Sequence, residues 1–117
     1  MALEGGFRWD ISGSASTGLT GNQYYIVKST ATDAFNLCTG SSGGSAGPVG
    51  VLQNDPDSGQ AAIVRVLGRT KMSAGGSVSV GDSITATTGG QALTATANAQ
   101  LILGRANSAS TAAGQVI

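Results

Sequence analysis

The chain has 117 residues, no histidine, one cysteine, a formal net charge of zero and only 10% charged residues, with glycine present 19 times. That inventory removes most side chains that act as general bases or metal ligands, and without a basic stripe it lacks the electrostatic footprint of a nucleic-acid binder. No apolar run approaches bilayer-spanning length, residues 1–10 carry Glu4, Arg8 and Asp10 in place of an apolar signal core, and a single cysteine, Cys38, rules out an internal disulfide and points to synthesis in a reducing cytoplasm.

Residues 1–21 differ from the rest. Phe7 and Trp9 are interleaved with Arg8 and Asp10, and then Ser12 to Gly21 is almost wholly Ser, Gly, Thr and Ala, which predicts an extended or flexible N-terminal arm whose Trp9 either anchors an interface or caps the chain's own core. Residues 22–117 form the expected β-rich domain. Tyr24 to Val27 reads as a strand ending at Lys28-Ser29, and Ala34 to Cys38 as a second. Thr39 to Gly47 is a Gly/Ser loop. Pro48 to Leu52 restarts order, Asn54-Asp55-Pro56-Asp57-Ser58-Gly59 is a dense turn signal, and Ala61 to Leu67 is the strongest strand. Val78 to Val80 leads through Gly81-Asp82 into a strand over Ser83 to Thr87, and Gly89-Gly90 predicts a tight hairpin into Gln91 to Ala95. One short helix is possible over Thr96 to Gln100; Leu101 to Gly104 and Gln115 to Ile117 close the series. A faint echo relates the segments starting at Val49 and Leu103, each a glycine-bounded strand followed by a turn and a second strand. Short strands split by Gly-rich turns predict an all-β fold, a small barrel or sandwich with at most one short helix. Aromatics are 4% and much of the apolar content is alanine, so the core should be thin, with neighbouring subunits supplying further stability.

These residues carry a family likeness. The order Tyr25-Ile26-Val27-Lys28, Pro48 to Asn54, Gly59 to Val64, Gly68, Gly75-Gly76, Val80-Gly81-Asp82, Gly89-Gly90-Gln91-Ala92, Leu103 to Ala106 and Ala113 to Val116 resembles the capsid cement, or head decoration, proteins of tailed bacteriophages. The likeness covers residues 22–117 and rests on the ordered set rather than on one motif. It implies a non-enzymatic virion protein on the outer capsid surface, bridging neighbouring major capsid subunits against internal DNA pressure and acting as a trimer, or else a dimer, at local symmetry axes. The arm lies outside the likeness, so its role in clasping the shell rests on composition. A carbohydrate- or cell-binding β module is the alternative; it calls for exposed aromatic clusters and an export signal.

Other constellations read as structure. Gly81-Asp82-Ser83 superficially matches a serine-hydrolase motif, but with no histidine to act as base it reads as a turn in which Asp82 bonds nearby backbone N–H groups. Counting from Asp55, the calcium-loop place that needs an acid is Val66. Pro48 after Gly47 breaks any phosphate-loop pattern, and Cys38 reads as a small buried hydrophobe. No catalytic residue, cofactor or metal is expected. The candidate capsid or subunit interface is Phe7, Arg8 and Trp9 of the arm together with the basic cluster Arg65, Arg69 and Lys71. If the strand runs unbroken through Gly68, the three cations share one face, which is either simply solvated or a charged interface rim offering arginine forks to a neighbour's carboxylates.

Overall fold

The computed structural model describes residues 8–38, 48–87, 89–96 and 104–117. Phe7, the Gly/Ser loop and residues 97–100 of the expected helix lie outside them. Every regular element among the described residues is a strand: β1 (Trp9–Ala15), β2 (Ile26–Ala31), β3 (Ala34–Leu37), β4 (Gly50–Leu52), β5 (Ala61–Leu67), β6 (Ser83–Ala86), β7 (Ala92–Thr94) and β8 (Gly104–Arg105). The all-β expectation holds, and the architecture is a barrel.

Five strands close it in the order β1-β3-β2-β4-β5. β2 and β3 form one antiparallel hairpin, β4 and β5 another, and β2 pairs β4. β1 closes the ring: it runs antiparallel to β5 from Trp9 opposite Leu67 to Ser14 opposite Ala61, and parallel to β3 at Ser14 and Ala15. This corrects the boundary drawn after residue 21, because Trp9–Ala15 is a barrel strand and not an arm. Its small polar residues Ser12, Gly13 and Ser14 pair along β5, and Ser14 also pairs β3, so the backbone ladder, not side-chain propensity, makes it a strand. Gly13 shows why a glycine is needed there. A Cβ at that position would lie 2.6 Å from the Phe35 ring and 2.5 Å from the Asp33 carbonyl oxygen, so its absence lets Phe35 fill the barrel.

A three-stranded sheet, β7-β6-β8, packs beside the barrel, and the Gly89-Gly90 turn joins β6 to β7 as read from the sequence. Val78 and Val116 make only single bridges, to Ser110 and Ser73. Gly104 and Arg105 pair β6 rather than the C-terminal residues, so the second half of the sequence echo is not a hairpin.

The β2–β4 wall is buried on both sides. Val27 and Leu52 face the barrel interior with Ala15, Leu19, Phe35, Ala62 and Val64, while Ile26 and Val51 face the second layer with Cys38, Val78, Ile84, Ala86, Ala92 and Ala106. Successive residues of a strand point to opposite faces, so a wall with core on each side needs consecutive apolar residues. This accounts for the unbroken Ile26-Val27 and Val51-Leu52 runs. Each large side chain removed from water there stabilises by about 1.5–3 kcal/mol. Cys38 is fully buried in the second core.

Candidate functional site

The ladder between β1 and β5 has an inward and an outward face. On β5, Ala62 and Val64 point in and Ile63, Arg65 and Leu67 point out, with Ile63 and Leu67 left 41% and 49% exposed. Trp9 sits opposite Leu67 and is 60% exposed. The register shift between Trp9 and Asp10 turns two consecutive residues of β1 toward this face. Asp10 is thereby set beside Arg65. Arg65 Nε donates to Asp10 Oδ1 at 2.8 Å and Nη2 to Oδ2 at 3.1 Å, a two-point fork across the ladder. That hydrogen bond is the main reason the Asp10 carboxyl is held below its usual range and the Arg65 guanidinium above its own. The outward face thus carries Trp9, Leu67 and Ile63 around an internally neutralised charge pair.

Beyond Leu67 the strand does not continue. Gly68 takes a φ of +102°, a left-handed conformation open to glycine, and the ladder stops. Arg65, Arg69 and Lys71 therefore do not share a strand face, contrary to the expectation from their even spacing. Arg65 Nη1 instead donates to the Arg69 carbonyl at 2.9 Å and holds the departing chain. The Lys71 ammonium lies 5.8 Å from the centre of the Tyr24 ring, a cation–π approach. Arg8 is exposed at the start of β1.

The three cations do meet, around a cleft of about 820 Å³ between the barrel and the second layer. Arg105 of β8 joins them across it, so four of the chain's six Lys and Arg residues line one concavity, and no acidic side chain does among the described residues. The Arg105 guanidinium donates to the Gly81 carbonyl at 3.2 Å, and Arg69 has neither an ion pair nor a side-chain hydrogen bond among the described residues.

Two sequence candidates that seemed separate, Trp9 and the basic cluster, are thus joined at one end of the β1–β5 ladder. Asp10, Leu67 and Arg105 were missed. Asp10 gains meaning only from cross-strand register, and Arg105 reaches the cleft from a distant segment with no local signal. The turn readings hold. Asp82 Oδ2 accepts the Ser79 N–H at 2.9 Å and the Thr94 hydroxyl at 2.8 Å, which lowers its pKa, the Ser79 bond most. Asp57 accepts the Ser58 N–H and Asp55 the Gly21 N–H, so the 54–60 loop spends carboxylate oxygens on backbone donors.

No protein-family model matches the chain, and no curated protein matches it. Among solved structures it is similar to the head fiber gp8.5 N base of bacteriophage phi29, with a TM-score of 0.66 and 19% sequence identity, covering 94% of this chain and 90% of that one. At that identity the likeness establishes the fold: this chain has the all-β fold of a phage head fiber base.

Proposed function

We propose that this chain is a structural protein of a phage virion, a cement or decoration protein that binds the outer surface of the head and bridges neighbouring major capsid subunits as an oligomer, a trimer before a dimer. The observation that carries the reading is the fold shared with a head fiber base over 94% of the chain. The ordered glycine-bounded strands of residues 22–117, which resemble the cement family, support it from a separate direction. In this reading the protein acts mechanically, through modest interfaces repeated over a lattice.

The exposed Trp9–Leu67–Ile63 face is the surface we assign to the shell. Aromatic anchors beside an arginine carry binding energy out of proportion to their area, and because the Asp10–Arg65 pair is already formed in the free chain, docking does not leave those two charges unmatched. Electron cryomicroscopy of heads assembled with and without this chain tests the proposal. The expected result is added density on the outer surface, spanning adjacent capsid subunits and absent from heads that lack the chain. Identical maps would reject it.

A further inference from the structure

The zero net charge conceals a separation. Four cations line the cleft near the Trp9–Leu67 end of the ladder. At the other end, where Ser14 pairs with Ala61, stand Asp33, Asp55 and Asp57, all exposed. Asp33 is held there by its carbonyl, which accepts the Ser14 N–H at 2.7 Å, and the 54–60 loop by the Ala15 N–H donating to Gln60 and the Gly59 N–H donating to Ala15, both at 2.9 Å. Five steps of antiparallel strand, about 17 Å at ~3.4 Å per residue, separate the two ends of the ladder. Among the described residues none of the three acids has an ion-pair partner, and the sole salt bridge there is Asp10–Arg65. Folding therefore leaves a basic concavity at one end, where Arg65 is paired with Asp10 but Arg69, Lys71 and Arg105 have no acidic partner among the described residues, and an acidic projection at the other.

We infer that the basic cleft of one copy receives the acidic end, Asp33 and the Asp55–Asp57 loop, of a second copy, so that the protein self-associates head to tail. Charge complementarity selects this occupant. An isologous contact through the cleft would set cation against cation, and one through the acidic loop would set acid against acid, each costly in a partly dehydrated interface. A heterologous contact satisfies both ends at once and, when its rotation closes, generates a ring, which suits three copies better than two. Arg69 brings an uncommitted fork to a neighbour's carboxylate, and the 54–60 loop is already ordered by its own hydrogen bonds, so little is lost in fixing it. The inference rests on the oligomeric part of the function proposed above and adds which surfaces meet.

Sedimentation of the full chain tests it, with two neutralised variants, Arg69→Gln/Lys71→Gln and Asp55→Asn/Asp57→Asn. Wild type should associate at low ionic strength and weaken at least tenfold as salt shortens the screening length to a few ångströms, at about 1 M. Each variant alone should weaken at least tenfold. Their equimolar mixture should form a heterodimer that grows no further, since only one intact cleft and one intact loop remain to meet. Circular dichroism checks folding; if either variant misfolds, Arg105→Gln or Asp33→Asn replaces it, and the wild-type salt series decides independently. Wild-type oligomers insensitive to salt and to both variants would overturn head-to-tail contact while leaving an oligomer standing. A failure of the mixture to pair would also overturn it. A wild type monomeric at every concentration would remove both this contact and the oligomeric reading.

Discussion

Inside the barrel, Phe35, Leu19, Leu52, Val27 and Val64 fill the space between strands; between the barrel and the second sheet the corresponding work falls to Val78, Ile84 and three alanines, Ala86, Ala92 and Ala106. The barrel has a closed ring of strands up to seven residues long, whereas β6, β7 and β8 have four, three and two. The second layer also holds the one buried side-chain polar atom without a hydrogen-bond partner among the described residues, Thr85 Oγ1. Among the described residues, the thin alanine-rich core expected from composition is thus found in one region and not in the other. Composition averages over both, and among the described residues the barrel has taken most of the large apolar side chains. The second layer depends on the barrel through Ile26 and Val51 of the shared wall, and the cleft with its four cations lies where these unequal regions meet.

The largest effect should come from deleting residues 1–21. A detachable arm could be removed with the domain still folded, but loss of β1 opens the barrel, strips β5 of a partner and uncovers the Phe35 core. Circular dichroism and thermal melting should show a chain that does not fold cooperatively. A sharp melt near that of the full chain would show that residues 22–117 are self-sufficient.

Next, Leu52→Ala should cost about 3 kcal/mol and Val78→Ala about 2 kcal/mol or less, read by denaturant unfolding, because the larger deletion leaves a larger void, and in the closed barrel. Equal losses would erase the distinction between the two cores. Smallest is Thr85→Val, which keeps the shape and removes the hydroxyl. Stability should stay level or rise by up to about 1 kcal/mol, and a loss of more than that would mean the hydroxyl is satisfied in solution.

Local pattern made much of this fold legible. β5, the Gly89-Gly90 hairpin, the 54–60 turn and the Asp82 turn all rest on residues close in sequence whose chemistry points one way. What stayed hidden depends on distant partners. Ser12-Gly13-Ser14 has the composition of a linker and becomes a strand only because β5 binds one edge along its length and β3 meets the other at Ser14. Gly68 was visible, but nothing local said it would take a left-handed φ and turn Arg69 and Lys71 away from Arg65. Trp9 was picked out as an anchor for its rarity, while its position opposite Leu67 follows from a register that sequence spacing does not encode.

The claim that matters most is that the outward Trp9 face meets the phage head, and the direct measurement is co-sedimentation of purified wild type and Trp9→Ala with heads assembled without this chain. Trp9 is 60% exposed, so its truncation should leave the melting temperature nearly unchanged. An aromatic hot spot contributes about 2 kcal/mol or more, which is a roughly 30-fold weaker dissociation constant. Binding weakened to that extent in a fully folded variant is the predicted result. Binding equal to wild type would contradict it and move the shell contact to another surface of the barrel.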